Sequence, residues 1–244
     1  MTRLVRAELL KLSTTRLLLW LGLLILALEV LVIALHVSKD SLGSLAEPRN
    51  QRDVVSIAAV SALIALILGI VSSAGEFAHG TIGHTFLVAQ VREHVAAAKL
   101  AAAALAGAAL ALVSCAFAWG FAALLLSARS VPVHLASGSS LRLVPGTIAA
   151  AAISGALGIG FGALVRRQTG AIVIALIWLF VGEPLLGLAG VEKYGPGHAI
   201  ASVVEAGNQG SELLGFGAGL AVALVYVVVA GVLGADALRR ADIT

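Results

Sequence analysis

Long apolar runs, separated by short clusters of charged residues, glycine, proline and serine, set the pattern of this chain from one end to the other. Six of the runs reach the ~20 residues that a helix needs to cross a hydrocarbon core about 30 Å thick. They predict membrane-spanning helices over residues 17–37, 54–75, 96–127, 143–165, 169–190 and 213–235. Within each run the apolar residues are continuous and rich in Ala, Leu, Val and Gly. That composition suits helices and not the two-residue alternation of an outer-membrane barrel. The third run is too long for one perpendicular crossing, so it either tilts or extends the polar segment ahead of it.

The polar punctuation predicts the rest of the layout. In residues 1–16, Val5, Leu9 and Leu12 share one helical face while Arg3, Arg6 and Ser13 lie elsewhere, which is the pattern of an interfacial helix. Ser13-Thr14-Thr15 breaks that helix before a six-span domain over residues 17–244. The stretch 38–53 holds Gly43, Pro48, Asn50 and several charges and reads as an outer loop. The loop 191–212 is longer than a hairpin needs. Its Gly195-Pro196-Gly197 turn and the apolar run 199–204 predict a short re-entrant or surface helix. Ser154, Gly158 and Gly162 recur at four-residue spacing in the fourth span and predict close helix packing, as do Gly215 and Gly219 in the sixth. No internal repeat is visible, and the two halves lack the matching broken helices of an inverted-repeat transporter.

Composition narrows the class. The 244 residues are 60% hydrophobic and 12% charged, against roughly a quarter charged in a soluble domain. An all-α integral membrane protein is expected. Its first span exceeds a signal-peptide core and is followed by no small-residue cleavage site, so a retained anchor is expected. With the N-terminus inside, the cytoplasmic segments hold Arg3, Arg6, Lys11, Arg16, Arg92, Lys99, Arg166, Arg167, Arg239 and Arg240. The outer segments hold only Lys39, Arg49, Arg52, Arg129, Arg142 and Lys193, so both termini are expected in the cytoplasm. This topology accounts for the net charge of +3, and nucleic-acid binding does not follow from it. The single Cys115 excludes an internal disulfide framework and reads as a small packing residue.

Catalytic motifs are missing. There is no GxxxxGK[ST] loop to cradle nucleotide phosphates, so any ATP and Mg must be bound by another polypeptide. Gly155, Gly158 and Gly160 lie inside a span with no strand before them, which excludes a dinucleotide fingerprint. No HExxH or GxSxG occurs. His79, His84 and His94 are not spaced to share one helical turn, so they read as solvated rather than as metal ligands, and neither a metal nor a catalytic residue is assigned. Two acids fall inside spans. Glu29 and Glu183 each cost several kcal/mol if charged near the bilayer centre. Each is a candidate for a substrate path or proton coupling, or else a buried tie between helices.

The most informative segment is 76–99, EFAHGTIGHTFLVAQVREHVAAAK. Glu76, Gly80-Thr81, Arg92 and Lys99 alternate with apolar Ile82, Phe86, Leu87 and Val88. Gly80-Thr81 fits a break and cap at which a span turns into a short helix. Such a helix, held at both ends, can be pushed as a lever by a soluble partner. The order Glu76, Gly80, Thr81, Leu87, Arg92, Lys99 resembles the stretch between the second and third spans of ABC-2 type permeases, the membrane subunits of bacterial ABC exporters. The interfacial helix, six spans, long loop before the sixth span and basic C-terminus are similar too. Gln90-Val91 stands where the family usually has Pro before a small residue.

The resemblance implies a cytoplasmic coupling helix made by Glu76, Gly80, Thr81, Phe86, Leu87, Arg92 and Lys99. It implies that this helix docks on a separate P-loop ABC ATPase that binds ATP and Mg, and that two permeases, as a homodimer or a paired heterodimer, work with two ATPases in a bacterial plasma membrane. A lipophilic or amphipathic substrate would move outward. The alternatives are a proton-coupled secondary transporter using Glu29 and a non-transporting membrane scaffold.

Overall fold

The computed structural model describes residues 1–78, 92–205 and 213–239, all of whose regular elements are helices. In chain order they are α1 (Thr2–Thr14), α2 (Arg16–Lys39), α3 (Leu42–Leu45), α4 (Pro48–Ser56), α5 (Val60–Ala78), α6 (Arg92–Ala128), α7 (Gly138–Leu141), α8 (Leu143–Val165), α9 (Gln168–Ile177), α10 (Glu183–Gly187), α11 (Pro196–Val204) and α12 (Phe216–Arg239). Among the described residues six helices are long and apolar enough to cross a membrane: Arg16–Lys39, Pro48–Ala78, His94–Ala128, Gly138–Val165, Gln168–Gly187 and Phe216–Ala237. The protein is therefore an all-helical, multi-pass membrane protein in character.

The clearest departure from the sequence expectation is residues 38–53. They form helix and not an open loop. Ser41 caps α3 by accepting the Ser44 amide at 3.2 Å, and Pro48 sits in the first turn of α4, where its missing N–H costs nothing. The buried Gln51 then fixes α4 from inside. Its Nε2 donates to the carbonyls of Leu45 at 2.8 Å and Pro132 at 2.7 Å, and its Oε1 accepts the His134 amide at 2.7 Å. A side chain so fully matched stabilises the fold where an unmatched one would weaken it. Through a 3-10 turn, Ile57–Ala59, α4 continues into α5.

Helix α8 is the centre of the bundle, with α5, α6, α11 and α12 against it. Small residues permit this. A Cβ on Gly158 would lie 2.3 Å from the Leu66 carbonyl of α5, and one on Gly155 would lie 2.5 Å from the Ala103 carbonyl of α6. Only glycine allows backbones that close. The expected small-residue contact at Gly219 is present, against Ser202 of α11, but Gly215 has nothing within 4 Å of a Cβ and plays no part. Gly215 precedes the first turn of α12, so it never joins the packed face.

The fifth span is interrupted. Trp178–Gly182 is a π turn between α9 and α10. Pro184 supplies the reason: it has no N–H for the Phe180 carbonyl and its ring crowds that turn, which a wider turn relieves. The loop after it holds α11, whose Ala199 and Val203 are fully buried. The expected short helix in 191–212 is thus observed over Pro196–Val204.

Candidate functional site: a buried charge cluster

At one end of the bundle, α1, α5 and α6 converge on four charged side chains. The amphipathic α1 turns Val5, Leu9 and Leu12 inward, where they pack with Leu68 and Ala102. Glu8 falls on that same inward stripe and is 7% exposed. An acid so placed requires a partner. Lys99 supplies it: its Nζ lies 2.9 Å from Glu8 Oε2 and 2.5 Å from Glu76 Oε1. Lys11 adds a second cation, 2.8 Å from Glu8 and 3.4 Å from Glu76.

Lys99 is 5% exposed and is the hub. Its ammonium bridges the acid of α1 and the acid at the end of α5, so three helices meet on one point charge. A cavity of about 20 Å³ lies beside it, bordered by Ser73, Glu76 and Lys99, and has room for a single water. Burial alone pushes the Glu8 carboxyl up, but the Lys99 charge and the hydrogen bonds from Lys11 and Lys99 outweigh it and leave it below its ordinary 4.5. For Lys11, burial works downward, and the hydrogen bond to Glu8 with the charge of Glu76 carries it above its ordinary 10.5.

The same end is tied further. Arg166, in the left-handed conformation that closes α8, donates to the Ala237 carbonyl at 2.5 Å and lies over the Phe77 ring at 5.7 Å. The ends of α5, α8 and α12 are thereby joined beside the cluster.

Of the residues singled out by sequence, the structure brings Glu76 and Lys99 together. Gly80, Thr81, Phe86 and Leu87 lie outside the described residues, as does the side chain of Arg92, the first residue of α6. Sequence reasoning passed over Glu8 and Lys11. The signal was present, because Val5, Glu8, Leu9 and Leu12 follow the three- and four-residue spacing of one face and make Glu8 the acid in an apolar stripe.

Glu29 and Glu183 sit elsewhere and apart from each other. Glu29 of α2 is fully buried and hydrogen-bonded to the Ser114 hydroxyl of α6, which also lies 3.1 Å from the Ala58 carbonyl in the 3-10 turn. It links the first three spans. Its Oε2 has no partner among the described residues. Glu183 caps α11, accepting the Gly197 amide, the His198 amide at 3.0 Å and a contact from His198 Nδ1 at 2.8 Å. On that far end Arg52 pairs with Glu205 at 2.5 Å.

Compared with known proteins, the chain matches no protein-family model, and no curated protein matches it. The class that the fold and cluster define is a six-span helical membrane protein whose N-terminal helix is locked to its second and third spans by buried charge.

Proposed function

We propose that this chain is the permease subunit of an ATP-driven exporter, similar to ABC-2 type permeases, working with a separate P-loop ATPase in a bacterial plasma membrane. The observation that carries the reading is the Glu8–Lys99–Glu76 cluster. Glu76 lies three residues before position 79 and Lys99 eight residues after position 91, so the cluster clamps both approaches to segment 79–91. A force on that segment therefore reaches α1, α5 and α6 together and does not dissipate in one helix end. Segment 79–91 is the coupling element, pushed by the ATPase as it closes on ATP. The first, fifth and sixth spans, only 17%, 11% and 17% buried, keep open apolar faces; the first and fifth are the faces assigned to a second permease, and their separation lets a lipophilic or amphipathic substrate leave. The cluster end faces the cytoplasm, in keeping with Lys11, Lys99, Arg166 and Arg167 around it.

The test is affinity purification in mild detergent followed by reconstitution. A P-loop ATPase should co-purify, and Arg92→Ala should leave the complex intact while lowering substrate-stimulated ATP hydrolysis. Absence of any ATPase, or full stimulation in the variant, contradicts the reading. Orientation has its own check. In a Cys115→Ala background, cysteines at Ser38 and Ser137 should react with an impermeant maleimide in intact cells, and one at Thr85 should not.

A further inference from the structure

Two cavities lie between the second, fourth, fifth and sixth spans and α11. The first is about 270 Å³ and is walled by Leu157, Phe161, Trp178, Val229 and Leu233; Glu183 also borders it, but its carboxylate is taken up by the Gly197 and His198 amides, so little polar surface is left. The second is about 360 Å³ and brings Ser56, Ser154 and Glu205 to its wall. They adjoin: Leu66, Leu179, Gly197 and Ile200 line both. The two chambers are one cleft with segregated chemistry.

The cleft also has a direction. Ser56 closes α4 and Glu205 follows α11, both at the end where Gln51 and Arg52 gather. Leu233 and Phe161 lie toward the opposite end, within a few residues of Asp236 and Arg166. The polar chamber is thus near one end of the bundle and the apolar chamber runs along the spans toward the other. Trp178, 46% exposed, marks the side on which the apolar chamber adjoins the outer surface of the fifth span.

We propose that this cleft binds one single-chain amphiphile, its alkyl tail in the apolar chamber and a hydrogen-bond-donating head, hydroxyl or ammonium, in the polar one. A chamber of about 270 Å³ takes up part of one alkyl chain and has no room for the paired chains of a phospholipid side by side. Inside a bilayer the tail gains little by leaving its neighbours, since lipid is as apolar as the pocket, so selection falls to the head. The polar wall presents two hydroxyls and one carboxylate, and Arg52, which compensates Glu205, is not part of it. With the Ser56 hydroxyl already donating to the Asp53 carbonyl at 2.7 Å and Glu205 able only to accept, this wall favours a donor over a carboxylate head. The proposal does not rest on the permease reading, because it concerns binding by this chain alone.

Trp178 provides the probe. The full chain in lipid nanodiscs, with Trp20→Phe and Trp119→Phe, keeps Trp178 as its sole tryptophan; a companion with Trp119→Phe and Trp178→Phe keeps Trp20, which is 63% exposed. Both are titrated with a dibrominated stearoyl glycerol. Quenching of Trp178 should saturate, at a mole fraction roughly tenfold below the half-point for Trp20. Ala175→Phe, which fills the apolar chamber, should remove the saturable phase, and Val229→Phe serves as a second filler if the first fails to fold. Dibromostearate should bind about tenfold more weakly than its glycerol ester. The proposal is overturned if Trp178 quenches in step with Trp20, if both fillers leave the saturable phase intact, or if the carboxylate binds as well as the ester.

Discussion

The fourth and fifth spans have the same mean hydropathy, 2.0, yet 61% of the fourth is buried in the protein and only 11% of the fifth. Hydropathy reports that both belong in a membrane and is silent on what each one touches. Side-chain size is what separates them. The fourth presents Gly155, Gly158, Gly162 and Ser154 to its neighbours, whose backbones come into contact, while the fifth turns Val173, Ile177, Phe180 and Val181 outward. In lipid, where burying apolar surface against protein gains little, close backbone packing decides which helix is central.

That contrast breaks most sharply at one glycine. Gly158→Leu places carbon against the Leu66 carbonyl and should cost more than about 3 kcal/mol, so that little folded protein is recovered in detergent. Val181→Leu on the fifth span should be neutral in the same thermal unfolding assay. Equal loss in the two variants would remove size as the deciding variable.

Charge sharpens the distinction between interior and surface. Lys99→Met leaves Glu8 and Glu76 to the half-exposed Lys11 and should destabilise by about 3 kcal/mol, whereas Lys39→Met, on an exposed position, should leave the melting temperature unchanged. Glu29 follows. Glu29→Gln keeps a hydrogen-bonding partner for Ser114 and should be close to neutral, while Glu29→Leu removes that bond but leaves the Ser114 hydroxyl the Ala58 carbonyl as acceptor, and should cost about 1 kcal/mol. If the ATP-driven reading holds, Glu29→Gln also leaves ATP-dependent transport in place.

The smallest effect concerns only α1. Because the folded Glu8 carboxyl lies below 4.5, its contribution is complete above that pH and is lost as pH falls through the lowered value. Lys11, raised above 10.5, contributes fully below that pH and is lost as pH rises through the raised value. Hydrogen exchange across Thr2–Thr14 should therefore be slow and flat between those limits and should accelerate outside them, ahead of exchange in α8. Exchange in α1 that does not change at either extreme would show that its apolar face alone holds it.

Much of this arrangement was legible in the sequence. Six apolar runs announced six helices, and the four-residue spacing of Gly158 and Gly162 announced close packing of the fourth, though not its central place. What stayed hidden depended on partners far along the chain. Residues 38–53 read as loop because nothing near Gln51 reveals the Pro132 carbonyl and His134 amide that hold it. The hub at Lys99 was visible as a basic residue on a polar segment, but its partner Glu8 is ninety-one positions away. The interruption at Trp178–Gly182 was signalled by Pro184, though a proline alone does not tell a kink from a widened turn.

Helix α6 runs unbroken for 37 residues, about 55 Å at the usual rise, which exceeds a hydrocarbon thickness by about 25 Å. In a bilayer the surplus either tilts the helix or extends it past the hydrocarbon as a stiff arm. A tilt of about 10° about its point of entry swings the tip by about 4 Å with no backbone hydrogen bond broken, on the 1.5 Å rise that sets its length. An arm of that kind would give the polypeptide a mechanical advantage: a small rotation deep in the apolar layer would be the same event as a displacement of one side-chain diameter at Arg92.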